Sequence, residues 1–280
     1  MRLIPLQYEP VVRAALTEDV GAGDITTEAC IPIDARSSAV ILAKSPGVVA
    51  GLALAECAFH LLDPHAEWEP LVDDGCRVEG GRVPLARVSG RSRALLTGER
   101  VALNLMQRIS GVATLTARFV SLVEGTAATI VDTRKTTPGL RSLEKYGVRV
   151  GGGKNHRIGL YDSVLIKDNH IKACGGIGAA VAAARRNTGH TVKIEVEAST
   201  PDQVAEAIDA QADIILLDNM DCDGLRASVA LVKGRAVTEA SGGITEQTVR
   251  AVAETGVDVI SVGALTHSAP AMDISLDFDA

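Results

Sequence analysis

Six short apolar runs in the second half of the chain each end in residues able to do chemistry. Thr129 to Asp132 runs into Thr133, Arg134 and Lys135, and Ser163 to Ile166 into Lys167, Asp168, Asn169 and His170. Val192 to Val196 carries Glu195 and Glu197, and Asp213 to Leu217 ends in Asp218 and Asn219. Ala236 to Thr238 leads into Glu239, Ala240, Ser241, Gly242 and Gly243, and Val257 to Val262 into Gly263 and Ala264. Two carboxylates such as Glu197 and Asp218 at neighbouring strand ends can hold Mg²⁺ against phosphate oxygens, or can pair with Lys167 or Lys193. Glu195 and Glu197 share a face because strand side chains alternate with period two, so pattern does not choose between them. Arg134, Arg157 and Lys167 suit a polycarboxylate or phosphate, since arginine grips such anions through two parallel hydrogen bonds. His156 can act as a general acid/base or as a hydrogen-bond donor, whereas His170 and His267 can equally be structural. The Ser241-Gly242-Gly243 and Gly263-Ala264 turns let backbone N–H groups approach an anion.

Charge distribution narrows the ligand class. The 280 residues carry a formal charge of −7, which argues against nucleic acid and anionic membranes as main partners. The segment from Asp132 to Lys172 nevertheless holds nine Lys/Arg and four Asp/Glu, a concentration suited to a small anionic ligand. Only seven aromatic residues are present, one Trp, three Tyr and three Phe, so base-stacking platforms are excluded. The five cysteines contain no C-x-x-C pair, which speaks against a disulfide framework or structural zinc and for a reducing cytoplasm. The Met1 to Pro10 start lacks the apolar core of a signal peptide, and no uncharged run approaches the roughly 18 residues a membrane span needs.

These residues need strands to position them. Apolar runs alternating with helical stretches after Gly125 predict βα units on a parallel sheet, with Thr200 and Pro201 opening one helix as N-cap and first helical residue. In α/β barrels the chemistry sits at the C-terminal strand ends, and phosphate often binds in the last two loops. Six units are two short of a full barrel. Upstream, helical spacing covers Glu9 to Val20, a strand is predicted at Ala39 to Lys44, a helix at Val48 to Leu62 and a strand at Arg82 to Ser89. Arg91 to Val123 predicts one or more long helices, with Gly98 and Gly111 as potential breaks. Arg141, Lys145 and Arg149, spaced four apart with Glu144 at their edge, read as a solvated helix face outside the site.

The string DTRKTTPGLRSLEKYGVRVGGGKNHRIGLYDSVLIKDNHI, followed by IEVEA, ILLDN, EASGGIT and VGALTHS, resembles the quinolinate phosphoribosyltransferase family. EDVGAGDITTEACIP, PGVVAGLALAE, GERVALNLMQRISGVAT and MDISLDF extend the resemblance over nearly the whole chain. Gly147 departs from the alanine expected in the KYAVR-like string, a matter of helix propensity.

The resemblance implies an amino-terminal α/β sandwich module over residues 1–109, joined by 270–280, and an incomplete parallel α/β barrel over 110–269. It implies a Mg²⁺-dependent transfer of phosphoribosyl from phosphoribosyl pyrophosphate to quinolinate, yielding nicotinate mononucleotide, pyrophosphate and CO₂. Arg134, His156, Arg157 and Lys167 then correspond to quinolinate-binding groups, with Thr133 and Lys135 in the same pocket and Lys135, His156 and Lys167 as the catalytic candidates. Glu197, chosen over Glu195 by the resemblance alone, and Asp218 correspond to the metal and ribose region. Ser241, Gly242, Gly243, Val262, Gly263 and Ala264 correspond to the phosphate loops. Arg100 corresponds to an arginine that completes the neighbouring site in a homodimer or dimer-based hexamer. Two other readings compete: an aldolase-type lyase forming a Schiff base on Lys167, and a molybdenum-transport-associated paralogue.

Overall fold

The computed structural model describes residues 3–279. In chain order, α1 (Pro5–Val20), α2 (Ile25–Cys30), β1 (Arg36–Ala43), β2 (Gly47–Val48) and α3 (Leu52–Leu62) come first. They are followed by β3 (Glu67–Pro70), β4 (Arg77–Val78), β5 (Val83–Arg91) and α4 (Ser92–Leu122). The βα units then run β6 (Thr129–Val131), α5 (Arg141–Val150), β7 (Val164–Ile166), α6 (Asp168–Cys174), α7 (Ile177–Asn187) and β8 (Ile194–Ala198). The chain closes with α8 (Pro201–Asp209), β9 (Ile214–Asp218), α9 (Cys222–Val232), β10 (Val237–Ser241), α10 (Val249–Ala253), β11 (Val259–Ser261), α11 (Ala264–His267) and β12 (Ile274–Phe278). All six apolar runs of the second half became strands. Among the described residues, no helix is long and apolar enough to cross a membrane.

Two compact units emerge, one made of 1–117, 136–152 and 265–280, the other of 118–135 and 153–264. The first contains a four-stranded antiparallel sheet in the order β12-β1-β5-β3. Its last strand returns from the far end of the sequence, Ile274 standing opposite Ala43 and Phe278 opposite Ala39. Leu54, Ala55, Ala58 and Phe59 of α3 join Val12 and Leu16 of α1 and Ile41 and Leu85 of the sheet in one apolar core.

Helix α4 is the single-helix case of the one or more helices expected, and neither Gly98 nor Gly111 breaks it. The glycines serve close packing: a Cβ at Gly111 would fall 2.0 Å from the Pro270 carbonyl oxygen, and one at Gly98 would fall 3.1 Å from Leu62. Gly147 has the same role, since a Cβ there would lie 3.0 Å from the Ile109 carbonyl oxygen, so propensity alone does not account for it. The predicted solvated face of α5 is also corrected. Glu144 is fully buried and Lys145 nearly so. Glu144 takes an ion pair from Arg108 at 2.8 Å and hydrogen bonds from the Thr137 N–H at 3.0 Å and hydroxyl at 2.8 Å, which is how a buried carboxylate is made tolerable.

The second unit holds a six-stranded parallel sheet in the order β6-β11-β10-β9-β8-β7. The consecutive strands β6 and β7 occupy opposite edges, so the sheet is a barrel left open where they would meet, and a single parallel bridge from Val131 to Lys154 extends the β6 edge. Thr200 caps α8 by accepting the Gln203 N–H at 3.3 Å, with Pro201 as the first helical residue. The register sets Ser241 beside both Asp218 and Ser261, and Glu197 beside Leu216, so the residues at the C-terminal strand ends form one rim.

Candidate active site

That rim surrounds a cavity of about 510 Å³ lined by Thr133, Arg134, Lys135, His156, Arg157, Leu165, Lys167, Glu197, Leu216, Asp218, Asn219, Glu239, Ser241, Gly242, Gly243 and Ser261. Alternation explains the set: 165 and 167, 216 and 218, and 239 and 241 are spaced by two and face the same side of their strands. Eleven residues singled out from sequence meet here. The structure adds Leu165, Leu216, Asn219, Glu239 and Ser261, of which Glu239 and Asn219 were visible at strand ends without an assigned role.

Four expected residues do not line this cavity. Arg100 lies on α4 in the other unit, 62% exposed and 3.9 Å from Glu99. Val262 is buried and its N–H is already donated to the Val131 carbonyl at 2.9 Å, which withdraws that amide from phosphate binding. Gly263 and Ala264 follow it outside the lining set. His170 caps α6 instead, its Nδ1 accepting the Lys167 N–H at 2.9 Å. His267 lies outside the cavity, its Nδ1 2.6 Å from the Ser268 hydroxyl.

One side of the cavity is cationic. Arg157 donates to the Ser163 carbonyl at 3.3 Å, and burial, followed by the charge of Arg134, pulls its guanidinium below its ordinary value. Two guanidinium groups held near each other in a recess are poised for an anion with more than one negative group. Lys135 follows a turn in which its N–H donates to the Thr133 hydroxyl at 3.0 Å. Lys167 is half exposed with its ammonium 3.9 Å from Glu197, an open setting that lacks the desolvation a Schiff-base lysine exploits.

The other side is acidic. Burial, then the charge of Asp218, raises the Glu197 carboxyl above its ordinary value, with Lys167 pulling the opposite way. Asp218 accepts a hydrogen bond from the Asn219 side chain at 2.9 Å, and Asn219 takes the left-handed conformation at φ 54°. Gly242, at φ 97°, makes room for this: a Cβ there would lie 2.1 Å from the Asn219 side-chain oxygen. Two carboxylates on adjacent strands that repel each other form an oxygen donor set that fits a hard divalent cation such as Mg²⁺.

His156 sits between the strands with both ring nitrogens engaged. Its backbone N–H donates to Asp132 Oδ1 at 2.9 Å, and Asn155 donates to Asp132 Oδ2 at 2.5 Å. Nδ1 accepts the Arg157 N–H at 2.7 Å, while Nε2 lies 3.1 Å from Glu195 Oε2. A backbone N–H can only donate, so Nδ1 carries the lone pair and the ring hydrogen is on Nε2. The arrangement holds the ring through both nitrogens. Glu195, 1% exposed, lies one layer below Glu197, which separates two glutamates that alternation alone leaves equivalent.

Residues 24–110 match the family model described as quinolinate phosphoribosyl transferase, N-terminal domain, and residues 112–277 match its C-terminal domain. The chain is 47% identical over 272 residues to a probable nicotinate-nucleotide pyrophosphorylase [carboxylating] of Bacillus subtilis (strain 168), covering 97% of this chain and 93% of that protein. It is 44% identical over 288 residues to quinolinate phosphoribosyltransferase [decarboxylating] 2b, mitochondrial, of Nicotiana tabacum, covering 96% of this chain and 81% of that protein. Among solved structures, the nicotinate-nucleotide pyrophosphorylase from Francisella tularensis superposes with a TM-score of 0.95 at 37% identity, covering 99% of this chain and 98% of that one.

Proposed function

Because this chain belongs to the quinolinate phosphoribosyltransferase family, we propose a division of labour within its cavity for the family reaction. The protein is a decarboxylating phosphoribosyltransferase of NAD biosynthesis that uses quinolinate and phosphoribosyl pyrophosphate and forms nicotinate mononucleotide, pyrophosphate and CO₂. The aldolase-type and molybdenum-associated readings find no support among these relatives.

The observation that carries the assignment is the joining of a cationic side, Arg134, Arg157, Lys135 and Lys167, to an acidic side, Glu197 and Asp218, in one cavity. The arginines hold the two quinolinate carboxylates and so aim the ring nitrogen at the ribosyl carbon. Glu197 and Asp218 would hold Mg²⁺, which would offset negative charge on the departing pyrophosphate. Ser241, Gly242 and Gly243 receive phosphate where side chains are small or missing. The ring nitrogen bonds to the ribosyl carbon as the C–O bond to pyrophosphate breaks, its electron pair leaving with pyrophosphate. The bond to the carboxylate beside the quaternised nitrogen then breaks, CO₂ departs, and the electron pair stays on the ring carbon until a proton arrives. Lys135 and Lys167 are the cavity groups suited to deliver that proton, while His156 holds the substrate pocket in shape.

The catalytic assembly is a homodimer or a dimer-based hexamer in which Arg100 completes the neighbouring site, a reading supported by the exposure of that side chain. The reaction takes place in the cytoplasm, a reading supported by five free thiols. Incubating the purified protein with quinolinate, phosphoribosyl pyrophosphate and Mg²⁺ is expected to release CO₂ and nicotinate mononucleotide. Failure to form either product across pH and metal concentration would refute the assignment.

A further inference from the structure

The floor of the cavity holds a group that the reaction scheme does not use. Glu239, on β10, lines the cavity yet is only 4% exposed, and its Oε1 has no hydrogen-bond partner among the described residues. Around it stand Glu195 from β8, His156 from the segment before β7, Asp132 from the end of β6 and Ser261 from β11. The His156 ring has a single hydrogen, on Nε2, because Nδ1 accepts the Arg157 N–H. Two carboxylates compete for that hydrogen: Glu195 Oε2 at 3.1 Å and Glu239 Oε1 at 3.5 Å. One donor satisfies one acceptor, so the Glu239 oxygen facing the ring is left unpaired, and a buried carboxylate that is only partly paired is disfavoured against the neutral acid.

We propose that Glu239 is a positioning residue of the dicarboxylate pocket: standing as the neutral acid beside Glu195, it leaves the Nε2–H of His156 to Glu195 and withholds a negative charge from the cavity that the arginines also line. The inference rests on reading this cavity as the quinolinate site. Burial first, then the charge of Glu195, lifts the Glu239 carboxyl to about 7, with Asp132 adding to the rise and His156 and a hydrogen bond with Ser261 opposing it. Below that pH the floor stays neutral at this position. Above it, a charge appears that repels the substrate carboxylates.

The test is the KM for quinolinate, and separately kcat, of the wild type and Glu239→Gln from about pH 5.5 to pH 9. In the wild type KM is expected to rise at least about fivefold as pH passes 7, as one added charge several ångströms from an anion predicts, while kcat changes much less. In Glu239→Gln, KM stays level within about twofold, since a carboxamide has no proton to lose. A Glu239→Gln profile that parallels the wild type overturns the proposal. A wild type unable to convert quinolinate at any pH overturns the substrate reading and this inference with it. Should the variant fail to fold, carbon NMR of the wild-type glutamate carboxyls carries the test: one buried carboxyl that keeps its proton up to about pH 7 supports the proposal, and glutamates all ionised by pH 6 refute it. His156, Glu195 and Glu239 also bring ligand atoms within 4.8 Å of one another, a spacing open to a metal. One divalent ion per chain that survives chelation and is lost in Glu239→Gln would likewise refute it.

Discussion

The two ends of the parallel sheet carry the same kinds of residue and treat them oppositely. At the N-terminal end a groove of about 810 Å³ is lined by Lys193, Asp209, Asp213, Arg235 and Asp258 among others. There Asp213 accepts the Ile194 N–H at 2.9 Å and pairs with Lys193 at 3.3 Å and Arg185 at 3.6 Å. Asp258 accepts both the N–H and the hydroxyl of Thr238, at 2.8 and 2.7 Å. At the C-terminal end the cavity is smaller, and like charges stand together in it, Glu197 with Asp218 and Arg157 with Arg134, offset in part by Lys167 on the acidic side and Glu195 on the cationic one. Size therefore does not identify the site. Like charges gathered in a recess favour a ligand of the opposite sign, whereas charges matched one to one hold strands together.

Matched substitutions at the two ends break this comparison if it is wrong. Asp218→Ala is expected to lower kcat/KM by about 10²–10³-fold, since it removes charge stabilisation at the departing pyrophosphate. Asp213→Ala should leave kcat/KM within about twofold and instead cost about 1–3 kcal/mol in urea unfolding by orphaning the Ile194 N–H. Equal kinetic losses in both variants would remove the distinction. Arg157→Ala should raise the KM for quinolinate by about 30-fold or more, the loss of one partner in a buried charge pair being about 2–5 kcal/mol. Arg185→Ala, at the other end, should leave that KM unchanged. Unaltered quinolinate use in Arg157→Ala would sink its assignment.

A smaller change separates shape from charge. Gly242→Ala adds no charge, but its Cβ meets the Asn219 side-chain oxygen at 2.1 Å and must adopt φ 97°. The strain, about 1–3 kcal/mol, is expected to displace Asn219 from Asp218 and raise the KM for phosphoribosyl pyrophosphate about tenfold. Gly234→Ala, at φ 72° with open space around it, serves as the matched control and should alter stability but not KM. Equal KM values in the two variants would show that the Gly242–Asn219 contact has no part in binding.

Much of this contrast was legible in the sequence. Six apolar runs with polar ends gave the strands, and period-two alternation grouped Lys167, Glu197, Asp218 and Ser241 on the inner side. Depth was not legible: Glu195 and Glu197 have the same residue type and the same face, and only the fold shows one buried against His156 and the other lining the cavity. Nor was the burial of Glu144 and Lys145 legible, because a charged helix looks solvated until a second element, carrying Arg108, is packed against it. Gly98 and Gly111 were ambiguous for a related reason. Glycine signals either a break or a close approach, and the partner that decides between them lies far off in sequence. The pairing of β12 with β1 joins the two ends of the chain, beyond the reach of any local pattern.

The finest test of the contrast is thermodynamic, because a group held for function need not be held where it is most stable. The Glu239 carboxyl titrates at about 7 in the folded chain against an ordinary value of 4.5. Between those values the folded state binds a proton that the unfolded state has released, so the contribution of that proton is complete below about pH 4.5 and fades as pH rises through 7. Calorimetric unfolding from pH 5 to pH 8 should therefore show the wild type losing stability relative to Glu239→Gln, by an amount on the order of 1–3 kcal/mol. The sign is opposite for Asp63, whose carboxyl is held below its ordinary value first by the Arg91 backbone N–H, so that its contribution is lost only as pH falls. Wild-type and Glu239→Gln curves that run parallel across the window would mean that the carboxyl at the cavity floor is as well matched as those at the opposite end of the sheet.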